Sequence, residues 1–194
     1  MNLDANALDL LFRGAHSHNC WQPKDVPDSL LHELHDVMKW GPTSVNCWPL
    51  RVVFAKSAAA KERLVSCVAE GNAEKTRTAP VVAIVGMDMA FYDRLPELFP
   101  AFDARALFVG NQELVNATAM RNSSLQGAYL MIAARALGLD CAPMSGFDNA
   151  KVDVEFFPGN MVRSNFLCGL GYGDAARVHP RGPRPAFDEV HSII

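Results

Sequence analysis

The sequence predicts one α+β domain of 194 residues, built from few strands and long helices. Three short runs, Leu50–Ala55, Pro80–Met87 and Phe166–Gly173, have the β-branched or continuously apolar character of strands. Two longer stretches, Asp28–Trp40 and Asn122–Leu139, carry apolar residues at helical spacing or around most of a helix. No internal repeat, low-complexity tract or linker divides the chain, and its length suits one domain rather than two.

The helix Asp28–Trp40 places Leu30, Leu31, Leu34, Val37 and Met38 on one buried stripe, with Pro27-Asp28 at its start and Gly41-Pro42 at its stop. His32 and His35 lie three apart on it, but no third ligand completes a metal pattern, so they read as a solvated face. A turn-rich segment, Gly41–Pro49, leads into the first strand. A helix over Ala58–Ala69 follows, ending near Gly71-Asn72, and then the second strand, apolar enough to be covered on both faces.

Between Ala90 and Met120 no period is sustained, and Pro96, Pro100 and exposed aromatics mark a partly helical excursion, a candidate lid over about 90–120. Asn122–Leu139 is the longest helix, apolar through Leu125, Leu130, Ile132, Ala133 and Leu137, with Gly138 as its C-terminal stop. A loop, Cys141–Asp148, a short helix from Lys151 and the third strand complete the core. The tail from Asp174 to Ile194 is rich in proline and arginine, hence extended and suited to wrapping a partner.

Composition removes several classes of function. With 18 Lys+Arg against 21 Asp+Glu, the net charge of −3 offers no basic field to gather nucleic acid. The apolar runs Ala79–Met87 and Ala128–Ala134 fall short of the ~18–20 residues of a membrane span. Met1–Asp4 lacks a secretory start, so a cytoplasmic protein with neither membrane nor nucleic-acid partner is expected. Five cysteines (Cys20, Cys47, Cys67, Cys141, Cys168), with no CxxC spacing, read as reduced thiols. The glycines of Gly169–Gly173 open no helix and make a poor dinucleotide fingerprint. There is no Walker loop, G-x-S-x-G elbow or zinc spacing.

What remains is a set of polar clusters at segment ends, suited to holding something flat and anionic. Ala15–Trp21 puts donors beside an aromatic, and Thr43–Asn46 puts hydroxyls and an amide in a tight turn. Asn72 and Lys75 add an amide and a cation, Pro143–Asp148 a glycine turn with backbone donors, and Arg181 and Arg184 two guanidiniums.

Taken together and in this order, these segments resemble the FMN-dependent nitroreductase family over essentially the whole chain. Ala15–Trp21 stands at the family's opening Arg-Arg-Ser-x-Arg-x-aromatic motif, and Pro42–Pro49 at its Pro-Ser-x-x-Asn-x-Gln-Pro turn. Gln126 matches a glutamine early in the central helix, and Pro143–Asp148 matches the Pro-x-x-Gly-Phe-Asp loop. Gly171-Tyr172 and Arg181-Gly182-Pro183 match the closing elements. Lys39–Ser44, Arg121–Ser124, Pro143–Asp148 and Gly171–Asp174 are similar, more narrowly, to the malonic semialdehyde reductases of pyrimidine degradation.

The resemblance implies a mixed or antiparallel central sheet flanked by helices, a tail embracing a partner subunit, and a homodimer with FMN in interfacial clefts. It implies reduction of malonic semialdehyde to 3-hydroxypropanoate by NADH or NADPH, in ping-pong fashion through the flavin, with no side-chain nucleophile. His16, Ser17, Asn19, Arg181 and Arg184 would hold the phosphate and ribityl chain, and Asn72 and Lys75 the flavin edge that gains negative charge. Pro143, Met144, Ser145 and Gly146 would lie over the ring, with Pro42, Thr43 and Ser44 from the other subunit and Asn46 a further cofactor-binding residue. Ala15 and Asn19 stand where the motif has arginines; either His16, Arg13 or Arg184 compensates or flavin binds weakly. Arg94, Arg105 and Arg121 are candidates for the substrate carboxylate. A broad nitro, quinone or enone reductase, and a flavin-binding protein without turnover, are the alternative expectations.

Overall fold

The computed structural model describes residues 2–159 and 161–194. Its strands are β1 (Leu50–Ala55), β2 (Val81–Asp88), β3 (Asp140–Met144) and β4 (Val162–Gly171), joined in one antiparallel sheet of order β1-β2-β4-β3. The helices are α1 (Ala5–Leu8), α2 (Asp28–Met38), α3 (Ala58–Val65), α4 (Glu70–Thr78), α5 (Leu95–Leu98), α6 (Gln112–Ala136), α7 (Asn149–Phe156) and α8 (Phe187–Val190).

Side chains alternate across a strand, so a strand covered on both faces feeds two cores. Val81, Ala83 and Val85 of β2 join Leu31, Leu34 and Met38 of α2 and Leu130, Ala133 and Ala134 of α6. Val82 and Ile84 point the other way, into a cluster with Leu64 of α3 and Val152 and Phe156 of α7. A third cluster, with Phe91, Leu95, Phe108, Val115 and Ala119, packs the 90–120 excursion onto the first turns of α6. The excursion therefore has its own core, and two of its aromatics expected at the surface, Phe91 and Phe108, are buried.

Three expectations are corrected. The loop expected over Cys141–Asp148 begins as the fourth strand, with Pro143 opposite Cys168; an edge strand tolerates a proline because one row of its amides has no ladder partner. The central helix begins at Gln112, capped by Asn111, ten residues ahead of the expected Asn122. Its first ten residues bury only Val115, Thr118 and Ala119, which gives no sustained apolar period, and the buried face continues through polar Asn122, Ser123 and Gln126. The helix expected over Ala58–Ala69 stops at Val65, and Gly71-Asn72, expected as its end, lies inside the next helix, α4.

Two of those polar residues organise the core. Gln126 Oε1 accepts the Leu50 N–H at 3.1 Å, and Asn122 Oδ1 accepts the Ser44 N–H at 2.8 Å, fixing the turn before β1 to α6. Gly127 lets the helix approach the sheet: a Cβ there would lie 2.5 Å from the Phe166 ring. Gly127→Val should destabilise the fold by about 1–3 kcal/mol, the usual cost of overpacking, measured by urea unfolding.

Candidate functional site

The N-terminal segment runs along the free edge of β3. Ser17 bridges Cys141, and the His18 N–H donates to the Cys141 carbonyl at 3.0 Å. The Gln22 N–H donates to the Tyr172 carbonyl and the Asp174 N–H to the Cys20 carbonyl, at 2.8 and 3.0 Å. His18 is buried, its Nε2 facing Asp140 Oδ1 at 3.3 Å, and its ring needs Gly173, where a Cβ would lie 2.0 Å from Nδ1. Three residues beyond it, Trp21 packs over Gly169 and Gly171. These contacts leave His16, Ser17 and Asn19 at the rim.

The C-terminal tail returns to this rim, where Arg181 Nη2 donates to the Ala15 carbonyl at 2.8 Å. A cleft of about 430 Å³ results, lined by His16, Ser17, Asn19, Arg181 and Arg184, and also by His179 and Arg135. No carboxylate among the described residues lines it. Arg135, from the last turn of α6, was not anticipated; in the sequence it is a lone arginine in an otherwise apolar helix end. Its Nη1 donates to the Leu11 carbonyl at 2.9 Å, while its Nε is buried without a partner. Arg13, a possible compensating cation, instead pairs with Asp9 and the Ala5 carbonyl.

At the other end of β3, the loop Pro143–Asp148 is clamped to α4. The Gly146 carbonyl accepts both the Ala69 N–H at 2.9 Å and Asn72 Nδ2 at 2.8 Å. A Cβ on Gly146 would sit 2.8 Å from that amide nitrogen, so the cradle closes only around glycine. Lys75 lies one turn beyond Asn72 on the same helix face. It is half-buried, takes part in no ion pair among the described residues, and burial lowers its pKa from the ordinary lysine value. The Met144 side chain is buried in the core, packed against Thr76, so that residue offers only its backbone; Pro143 and Ser145 are exposed. The four steps along β3 from Cys141 to Ser145 span about 13 Å. That separation suits an elongated ligand with an anionic end in the cleft.

The turn Pro42–Asn46 lies elsewhere. It precedes β1, at the opposite edge of the sheet, three strand spacings or about 14 Å from β3. Val45, Asn46 and Trp48 all have left-handed backbone conformations, with φ of 46°, 50° and 45°. For a β-branched valine this is strained, and such strain persists only where surroundings over-determine it. Thr43 Oγ1 accepts the Trp48 N–H at 3.4 Å, and Asn46 Nδ2 donates to the Leu98 carbonyl at 2.9 Å. Within one chain the hydrogen bonds of this turn run to Asn122 of α6 and to Leu98, and none runs to α4 among the described residues. Next to the turn Cys47 is buried, and burial pushes its thiol up to about 11, so it stays protonated; Cys20 is half-buried.

Of the candidate substrate cations, Arg94 pairs with Glu97 at 3.2 Å and Arg105 with Asp93 at 2.9 Å. Arg121 is exposed on α6 and takes part in no ion pair among the described residues. No cluster of potential metal ligands occurs among the described residues, and no helix among them is long and apolar enough to cross a membrane.

Comparison with known proteins places this geometry. The profile of the Nitroreductase family matches residues 13–165. A protein of Burkholderia lata, provisionally named an NADH dehydrogenase/NAD(P)H nitroreductase, is 60% identical over 191 residues, 98% of each chain. One of the same provisional name from Polynucleobacter asymbioticus is 55% identical, over 99% of this chain and 98% of its own. Among solved structures, a provisionally named nitroreductase of Exiguobacterium sibiricum, in complex with FMN, superposes with a TM-score of 0.87 at 16% identity, covering 100% of this chain and 99% of that one. An enone reductase of gut-bacterial fatty acid saturation gives 0.85 at 16% identity, covering both chains fully. The family profile spans most of the sequence and these relatives match it nearly end to end, so the chain belongs to the Nitroreductase family.

Proposed function

We propose that the protein is an FMN-dependent NAD(P)H oxidoreductase that reduces malonic semialdehyde to 3-hydroxypropanoate and works as a homodimer. The observation that carries the cofactor reading is Lys75, a half-buried cation without an acidic partner, beside the donor-lined Gly146 cradle. An unpaired, partly desolvated ammonium is costly on its own, and a ligand that gains negative charge beside it offsets that cost. The carboxylate-free cleft at the other end of β3 fits the phosphate.

FMN, when bound, relays two electrons from the nicotinamide to the acceptor. The chain's own residues bind and orient it. Asn72 and Lys75 hold the pyrimidine edge, and the backbone donors of Ser145 and Gly146 meet the ring. His16, Ser17, Asn19, Arg181 and Arg184 take the ribityl phosphate. Pro42, Thr43, Ser44 and Asn46, at the β1 edge of the sheet, serve the site of a second copy. The excursion over about 90–120 borders that turn through the Asn46–Leu98 hydrogen bond and forms the acceptor's cover. Arg121 is the cation left to meet an acceptor carboxylate, because Arg94 and Arg105 already have acidic partners.

Those two ion pairs also favour a second reading, a broad nitro or quinone reductase, with which the NAD(P)H nitroreductase names of the relatives agree. Relative kcat/KM separates the two. The first requires the semialdehyde to exceed a neutral quinone by at least about 100-fold, a margin that recognition of its carboxylate can supply. Under it, Arg121→Ala should raise the KM for the oxo acid about tenfold or more and leave that for a quinone unchanged. Equal effects on both acceptors would remove the carboxylate contact.

The cofactor reading is tested by the visible spectrum. Flavin bands near about 370 and 450 nm should stay with the protein through gel filtration. Lys75→Met should abolish that retention while leaving the Tm of the flavin-free protein unchanged or slightly higher, since burial disfavours the charged ammonium that it removes. A fall in Tm would make Lys75 a structural cation instead.

A further inference from the structure

We infer that Arg135 is the fixed cation of the phosphate subsite and that it makes the site select the phosphorylated flavin over riboflavin. The inference rests on the FMN reading above and deepens it. Three guanidiniums and two imidazoles line one cleft with no carboxylate among them. Like charges gathered without an acid call for an anion, and a phosphate monoester carries close to two negative charges near neutral pH.

Within that cluster Arg135 differs in how it is held. Arg181 and Arg184 project from an exposed tail and spend part of their donor capacity on the Ala15, Gly182 and Pro183 carbonyls. Arg135 grows from a 25-residue helix packed in the core, and the Leu11 carbonyl steadies its Nη1 at 2.9 Å. Its Nε is enclosed by the protein, so the fork faces the cleft through Nη2, which has no hydrogen-bond partner among the described residues.

Two structural explanations for that position fail. A cation at a helix C-terminus can cap the last carbonyls. Here the carbonyls of Ala133, Ala134 and Arg135 are already taken by the N–H groups of Leu137, Gly138 and Leu139. Nor is Arg135 half of an ion pair: of the acids near it, Asp9 pairs with Arg13, and Asp140 faces His18 and accepts the Gly173 N–H at 2.8 Å. A dianion in the cleft would meet Nη2, which makes no hydrogen bond among the described residues.

The test compares two ligands that differ only by the phosphate. Flavin-free protein is titrated with FMN and with riboflavin, following quenching of flavin fluorescence. For Arg135→Gln the FMN Kd should rise about 10- to 100-fold, the loss expected for a charge-assisted contact, while the riboflavin Kd is unchanged. Arg135→Lys, which keeps the charge and loses the fork, should fall between and guards against a glutamine variant that fails to fold. An unchanged ratio of the two Kd values in both variants would overturn the inference and leave the cofactor reading intact. Failure of the unaltered protein to bind either flavin would overturn both.

Discussion

The candidate site depends on β3 using both of its edges. One edge pairs with β4; the other receives the Ser17–His18 backbone through Cys141. The same five-residue strand thereby holds the N-terminal segment at one end and delivers the Gly146 loop to α4 at the other. The bridge at Cys141, with Pro143 lacking an N–H, also leaves little of the outer edge open to the pairing by which unprotected edge strands associate. Stability and ligand geometry are thus carried by one set of backbone hydrogen bonds.

Much of the fold was legible in local pattern. The stripe Leu31-Leu34-Met38 and the continuous run Val81–Val85 announced their elements because burial there is purely apolar. The pattern failed where polar side chains are buried for a purpose. Gln126 and Asn122 serve the backbone of Leu50 and Ser44, and the first ten residues of α6 bury only Val115, Thr118 and Ala119, too little for an apolar period. At β3, Pro143 and the small length of the strand hid a strand that only its neighbours complete. Glu70–Thr78 reads as polar and glycine-containing, yet it is a helix secured by the Asn72–Gly146 contact.

The site divides in the same way. Motif order singled out Asn72, Lys75 and Gly146; Asn72 hydrogen-bonds Gly146 with Lys75 one turn further along α4, and His16, Ser17, Asn19, Arg181 and Arg184 line one cleft. Arg135 carried no motif signal, because its place in the cleft depends on where α6 ends relative to the N-terminal segment, a tertiary matter. The ion pairs of Arg94 and Arg105 were equally invisible: Glu97 is three residues from its partner, but Asp93 meets Arg105 across a turn of the excursion.

The length of α6 has a consequence of its own. Asn122, which grips the turn at one edge of the sheet, and Arg135, in the cleft beyond the other, are thirteen residues apart on one uninterrupted helix, or about 20 Å. The helix acts as a ruler with a fixed rotational phase. Adding one residue between them would lengthen it by only about 1.5 Å but swing everything beyond by about 100°. The guanidinium would leave its cleft while the Asn122 grip stayed in place. An insertion that preserves both contacts must therefore fall outside this interval.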